Sequence, residues 1–436
     1  MNSSGKVFVL SALTFVVLLL CYFLPEIRVG GSTLRQVDVL GDLEPHTVPT
    51  TVSRPKSAHR MVAIEDYAHG QAGGMAHFYG QLARIQSLGR PVRIAYYGDS
   101  FVGGDLMLGD LRQLLQQQFG GCGAGWIDPA STFNAQRITM RIASEGVTAH
   151  SVLDPEGFHA AWQGLSQSYC DLMPNATLRL SNPGLPDYDG KWNRVSVLLR
   201  VGSTVTVKAD PGGQRVLAPS KRVQVATFDT PGCTRMTVTL QGTNTNSRLH
   251  GIALEDERGI VIDNLAMQGA SGMDLVTMSD QMLADVNRLR PYDLVVLHFG
   301  LNVVPPKGFI SPHICARYKR AMKQVIAKLR RAFPGVSILL VSVTDSEGRQ
   351  GSETATLPGV EQLLDLQRRM AKDNQVAFYN LYEAMGGRGS IKRLIGQGLA
   401  EKDYHHINFK GGRLIARRFY DSIMQGYRAY TSSITP

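Results

Sequence analysis

The spacing of apolar positions changes several times along the chain, and each change marks a boundary. Val7 to Leu24, "VFVLSALTFVVLLLCYFL", is uncharged over eighteen positions, enough for one helix across a bilayer. From about 61 to 130 a helical spacing leads into a strand at 92–97, "VRIAYY", an apolar run without alternation. There follows "DLMLGDLRQLLQQQFG", apolar at helical spacing and stopped at Gly120-Gly121. Between 131 and 255 the period becomes two. The runs "RVSVLLRVGSTVTVKADPGG", "RVQVATFDT" and "TRMTVTLQGT" are β-branched, alternate with polar residues and break at Gly, Pro and Asn, which predicts an antiparallel β-sandwich. After about 256 the unalternating strands return as "DLVVLHFG", "VSILLVSV" and "QVAFYNL". An amphipathic helix, "RYKRAMKQVIAKLRRAF", lies between the first two, and "NFKGGRLIARRFYDSIM" forms a last one. Strands of this kind are covered on both faces. Their alternation with helices predicts an α/β fold with a doubly wound parallel sheet, interrupted by the β segment.

The organisation expected is a signal anchor at 1–24 and a stalk at 25–60. An α/β domain at 61–130 and 256–436 follows, with an inserted β domain at 131–255. Pro25, Pro45, Pro49 and Pro55 stand among Thr, Ser and Gly in the stalk. Lys6 precedes the apolar run, so the positive-inside rule puts the body outside. A cleaved signal peptide would have a shorter apolar stretch and a small-residue cleavage site, and it too would leave the body outside. The expected localisation is therefore an inner-membrane anchor with a periplasmic body. Cys21 falls in the predicted span. Cys122, Cys170, Cys233 and Cys315 match no zinc or redox spacing. Cys170 and Cys233 share the middle segment, which leaves a disulfide and two buried thiols as alternatives.

The formal charge of +10 is compatible with nucleic acid, anionic lipid or an acidic polymer. No helix-turn-helix, zinc-finger or RNA-recognition pattern accompanies it, and an external body argues against nucleic acid. The basic residues are scattered, as on a solvated face.

Four short stretches at predicted strand ends carry the candidate chemistry. Gly98-Asp99-Ser100 follows the strand at 92–97 and precedes a helix, whose N-terminal amides would favour negative charge. A serine there has the reach to attack a carbonyl. In "EKDYHHINFKGG", Asp403 and His406 are three residues apart. A carboxylate that close fixes the imidazole tautomer, so that the other nitrogen faces the serine. His405 is the alternative base, and a helix-capping role is the other reading of the pair. Gly269 in "DNLAMQGASGMDL" lets backbone approach a ligand. Asn302, in "VVLHFGLNVVPP" after Gly300, offers an amide donor.

With these residues in this order, the sequence resembles the SGNH (GDSL-type) hydrolases. The resemblance implies a flavodoxin-like α/β fold with Ser100 as nucleophile, His406 as base and Asp403 orienting it. It also implies an oxyanion hole made by the Ser100 and Gly269 amides and the Asn302 side chain, with no metal or cofactor. Phe101 stands where secreted lipase-like members have Leu, so a lipid substrate does not follow from the fold. The inserted β domain is similar to the carbohydrate-binding-module-like insert of bacterial peptidoglycan O-acetylesterases. The resemblance thus implies removal of O-acetyl groups from a cell-wall or exported glycan through an acetyl-Ser100 intermediate. Two alternatives use the same sequence. One is an O-acetyltransferase fed by a membrane-bound O-acyltransferase; the other is a non-catalytic glycan-binding envelope protein. Trp162, Tyr188 and Trp192 in the insert are candidates for stacking on sugar rings, with core packing as the other reading.

Overall fold

The structure, a computed structural model, describes residues 28–29, 32–33, 61–68, 73–185, 188–350 and 353–434. The predicted span at 7–24 and all but four residues of the predicted stalk lie outside the described residues. Among the described residues no helix is long and apolar enough to cross a membrane. Within residues 1–59, Arg28–Val29 pairs antiparallel with Ser32–Thr33. Residues 60–436 form a second unit.

In that unit β1 (Glu65–Asp66) and α1 (Ala76–Ala83) precede β2 (Val92–Gly98), which a 3-10 turn (Ser100–Asp105) joins to α2 (Leu108–Phe119). Nine strands follow: β3 (Gly125–Ile127), β4 (Arg141–Ser151), β5 (Ser168–Ser181), β6 (Trp192–Arg200), β7 (Val205–Asp210), β8 (Gly213–Leu217), β9 (Gln224–Cys233), β10 (Arg235–Gln241) and β11 (Arg248–Glu255). The chain then runs through β12 (Ile260–Ala266), α3 (Asp280–Leu289), β13 (Leu294–His298), α4 (Pro312–Ala332) and β14 (Ser337–Val341). A hairpin of β15 (Glu347–Gln350) and β16 (Glu353–Thr356) leads to α5 (Pro358–Asp373) and β17 (Ala377–Tyr379). The short α6 (Leu381–Met385) and α7 (Ser390–Gly396) precede α8 (Phe409–Ile434).

One sheet has the order β12-β2-β13-β14-β17-β1. Its first five strands are parallel, and in chain order they read 2-1-3-4-5, the flavodoxin-like arrangement. The sixth, β1, is antiparallel to β17, so the sheet is mixed and not wholly parallel as expected. This edge strand precedes the first crossover helix, and no crossover constrains its direction. Every residue of β2, β13 and β14 is buried, which is why these runs lack alternation. Ala95 and Tyr97 pack with α3, α4 and α5 through residues such as Leu283, Met322 and Leu363. Ile94 and Tyr96 face the other way, toward Phe78, Leu115 and Phe419 of α1, α2 and α8.

The period-two segment forms one antiparallel sheet ordered β8-β7-β10-β5-β11-β6-β9, with β3 on β11 and β4 on β5. It is a single hydrogen-bonded sheet, not the expected two-sheet sandwich. Its end strands β8 and β9 contact each other, so it curls around a core that includes Leu178, Trp192, Val197 and Phe228. The 14-residue β5 pairs with β4, β10 and β11 and makes the sheet continuous. Cys170 is buried in that strand and Cys233 is half-buried at the end of β9; both are free, as are Cys122 and Cys315.

Buried ion pairs lock the two sheets together. Glu255, at the end of β11, accepts from Arg93 of β2 at 2.9 and 3.0 Å and from Arg290 at 2.5 Å. Arg290 also grips Asp263 of β12 at 2.8 and 2.9 Å. Burial alone would raise the Glu255 carboxyl, but the two guanidinium charges outweigh it and hold it down at about 2. Buried charges are tolerated when paired in this way.

Candidate active site

The sheet register explains how four separate stretches meet. Gly98, last in β2, pairs with Ala266 of β12 on one side and His298 of β13 on the other. Ser100, Gly269 and Asn302 lie two, three and four residues beyond that row, at the carboxyl edge where open α/β sheets bind ligands. The exits are also bonded to one another. The Met267 N–H donates to the Gly98 carbonyl at 3.0 Å, and Asn302 Nδ2 donates to the Ala270 carbonyl at 2.9 Å. Gly269 has φ +74°, and a Cβ there would meet nothing within 4 Å. Its backbone conformation, not crowding, is what favours glycine.

Asp403 and His406 arrive on the loop before α8. Tyr404 holds φ +64°, which folds the loop so that Asp403 Oδ1 accepts the amides of His405 (2.9 Å) and His406 (3.0 Å). Asp403 Oδ2 lies 2.6 Å from His406 Nδ1, and Ser100 Oγ lies 2.9 Å from His406 Nε2. Burial would raise the Asp403 carboxyl, but the imidazole and the two amides outweigh it and hold it below the ordinary carboxylate range. An ionised carboxylate only accepts, so Nδ1 carries the ring proton and Nε2 accepts from the serine hydroxyl. The His406 and Asp403 side chains are 37% and 45% exposed. Solvent therefore screens the pair, and it orients the ring more than it stabilises the fold. A hydroxyl, imidazole and carboxylate in this order can move a proton off the oxygen as it attacks.

His405 turns away, with Nδ1 bonded to Ser346 Oγ. Neither histidine caps α8: Asn408 does, its side chain accepting the Gly411 N–H at 3.1 Å. The helix expected directly after Ser100 starts later. Gly103 (φ −60°, ψ 155°) and Gly104 (φ +61°) interrupt the turn, and the α-helix begins at Leu108. A macrodipole acts within a turn of its end, so local amides, not a helix terminus, surround Ser100.

Two carboxylates beside Ser100 went unassigned in the sequence. Asp99 is buried, and its carboxylate accepts the N–H of Phe101 at 3.0 Å. Burial pushes its carboxyl up to about 6 despite that bond. Asp105, fully buried at φ +63°, accepts from Arg112 (3.2 Å), Arg137 (2.9 Å), Asn264 (2.8 Å) and Thr139. It ties the Ser100 turn to α2, to the segment leading into β4 and to β12. The only signal for either residue was a carboxylate inside an otherwise apolar stretch.

Of the candidate aromatic residues, Trp192 is fully buried. Tyr188 donates to Asp110 Oδ2 at 3.0 Å. Trp162 is half-buried, with the Arg248 guanidinium 4.1 Å from its ring centroid. Among the described residues no group of three or more His, Cys, Asp or Glu side chains is placed to hold a metal ion.

Comparison with known proteins gives the same picture of the fold. Residues 235–406 match the model of the GDSL-like Lipase/Acylhydrolase family, so the chain carries an acylhydrolase domain of the SGNH/GDSL type. Ser100 precedes the matched segment, while Gly269, Asn302, Asp403 and His406 lie within it. A solved structure described as a peptidoglycan O-acetylesterase in action is 23% identical. It aligns over 84% of this chain and 99% of its own at a TM-score of 0.68. An acetyl xylan esterase structure is 19% identical over 37% of this chain and 81% of its own, with a TM-score of 0.30. No curated protein matches the chain.

Proposed function

We propose that this acylhydrolase-type chain is a serine esterase that removes O-acetyl groups from a cell-wall or exported glycan, peptidoglycan foremost. The observation that carries the reading is the bonded series Ser100 Oγ, His406, Asp403 at the carboxyl edge of the parallel sheet. The likeness in fold to the peptidoglycan O-acetylesterase structure supports the substrate class.

In this reading Ser100 Oγ attacks the acetyl carbonyl carbon while its proton passes to His406 Nε2. Negative charge develops on the carbonyl oxygen and is met by the Ser100 and Gly269 amides and the free N–H of Asn302, whose other hydrogen goes to Ala270. The C–O bond to the sugar breaks, His406 protonates the departing sugar oxygen, and acetyl-Ser100 remains. Water, deprotonated by His406, attacks the acetyl carbon; acetate leaves and Ser100 recovers its proton.

The test is acetate release from p-nitrophenyl acetate and from O-acetylated muropeptides by the full chain, with Ser100→Ala as control. Release that depends on Ser100 supports the esterase. Slow release with acetyl appearing on an added chitooligosaccharide identifies a transferase resolving the same intermediate with a sugar hydroxyl. Equal rates for wild type and Ser100→Ala overturn the catalytic reading.

A further inference from the structure

A cavity of about 580 Å³ lies on the curled sheet and includes none of the residues assigned above to acetyl removal. Trp162, Arg200, Lys221, Asn246 and Arg248 are among its lining, which holds three cationic side chains and no carboxylate. Its electrostatics are unbalanced. Arg248 and Arg200 are directly paired across β11 and β6, an arrangement of like charges that is unfavourable unless something compensates it. Arg248 is compensated: it meets Asp171 at 2.8 Å, donates to the Thr245 and Ser247 carbonyls at 2.5 and 2.9 Å, and lies over Trp162. Arg200 is half-buried and has no carboxylate partner among the described residues, and Lys221 is exposed beside it. The excess charge reaches the groups beneath. Burial, and then the charges of Arg200 and Arg248, push the neighbouring His250 down to about 3. Burial and the Arg248 charge likewise hold Arg200 below the ordinary guanidinium range, though a guanidinium stays protonated in any case.

A pocket of this size suits a small ligand. What the site lacks is an anion, and its Ser220, Asn246 and Trp162 side chains suit the hydroxyls and ring of a sugar. We propose that this cavity anchors a carboxylate-bearing saccharide, with the carboxylate on Arg200 and Lys221. The assignment of a saccharide, in preference to any other small anion, rests on the glycan-esterase reading. The wall is braced to the catalytic side. Gln163, next to Trp162, donates to the Thr277 carbonyl at 3.0 Å, in the turn that follows the Gly269 loop. Arg222, next to Lys221, pairs with Asp285 of α3 at 2.5 Å. A glycan held here would be held by a rigid part of the enzyme, through charge, while its acetyl group is processed elsewhere.

The experiment uses the full chain carrying Ser100→Ala, so that nothing turns over, and titrates it calorimetrically with tetragalacturonate and with neutral chitotetraose. Expected is binding of the anionic oligomer that weakens in about 0.5 M salt, with chitotetraose much weaker. Arg200→Gln with Lys221→Gln should weaken tetragalacturonate binding by about tenfold or more. The same pair in the Ser100 enzyme should leave p-nitrophenyl acetate hydrolysis unchanged and should not lower the thermal midpoint. Equal affinity for the two oligomers, or indifference to the double substitution, overturns the proposal, as does binding of inorganic phosphate in a parallel titration with no oligosaccharide binding. The two readings fail separately. If acetyl esters are hydrolysed through Ser100 but the anionic oligomer does not bind, only the anchoring site falls. If it binds through Arg200 and Lys221 while no ester is hydrolysed, the esterase reading falls and the site stands.

Discussion

Asp99, the residue before Ser100, accepts the backbone N–H of Phe101, the residue after it, at 3.0 Å. One buried side chain thereby caps the turn and fixes the backbone on either side of the serine hydroxyl.

This bond has a pH signature. Burial raises the Asp99 carboxyl from 3.8 to about 6 in the folded state, so between those values the folded protein holds a proton that the unfolded chain has released. Its contribution to stability is therefore full below about 4 and is lost as pH rises to about 6, on the order of 3 kcal/mol. Denaturant unfolding across that range should show a fall in wild-type stability relative to Asp99→Asn. Parallel curves would mean that Asp99 does not titrate there.

For the proton relay, Ser100→Ala and His406→Ala should each lower kcat on p-nitrophenyl acetate by about 10⁴-fold or more, and the double variant should be no worse than either. Asp403→Asn should lower kcat by about 10²- to 10⁴-fold by favouring the wrong tautomer. His405→Ala should retain most of the activity, because that ring is bonded to Ser346. Loss at His405 equal to that at His406 would reassign the base.

Asn302→Asp keeps the size of the side chain and removes its donor. If the amide meets developing charge, kcat should fall about 10²- to 10³-fold with little change in KM. A change in KM alone would place the side chain in binding only.

Asp105→Asn should destabilise the fold by about 3–5 kcal/mol, since it leaves the buried Arg112 and Arg137 uncompensated. Burial would raise the Asp105 carboxyl, but the two guanidinium groups override it and hold it well below its ordinary value. Its stabilisation is thus present above the unfolded carboxylate pKa of about 4 and is lost as pH falls below that. Chemical denaturation of the two proteins at neutral and acidic pH measures both effects. A neutral outcome at pH 7 would remove Asp105 as the anchor of the turn.

A Cβ at position 98 would sit 2.4 Å from Val102 Cγ2. Gly98→Ala should therefore displace the Ser100 turn and reduce kcat, and adding Val102→Ala should restore part of it by clearing the space. The comparison is made on p-nitrophenyl acetate with melting curves for each protein. No recovery would mean that the damage comes from backbone conformation.

Ser100, Asp403 and His406 could be read from the sequence because each lies in a short motif at the end of a strand whose apolar pattern is plain. Gly269 and Asn302 followed from the same logic, one strand to either side. The Asp105 bonds could not be read in this way. Asp105 meets Asn264 across 159 residues, and no local pattern specifies a pairing at that distance. The curled sheet shows the same limit. Period-two patterning says which face of β7 or β10 is buried, but not that the long β5 joins every strand into one surface. The helix expected after Ser100 failed for a local reason, because Gly103 and Gly104 uncouple the turn from α2.

The strand order also sets a timetable for synthesis. The ribosome delivers β2 early, yet its two neighbours in the sheet begin only at Ile260 and Leu294. The loop with Asp403 and His406 comes later still, just ahead of α8. A nascent or truncated chain therefore carries Ser100 with no partner to take its proton. The hydroxyl gains its base only when the chain has been made past His406 and α8 has docked.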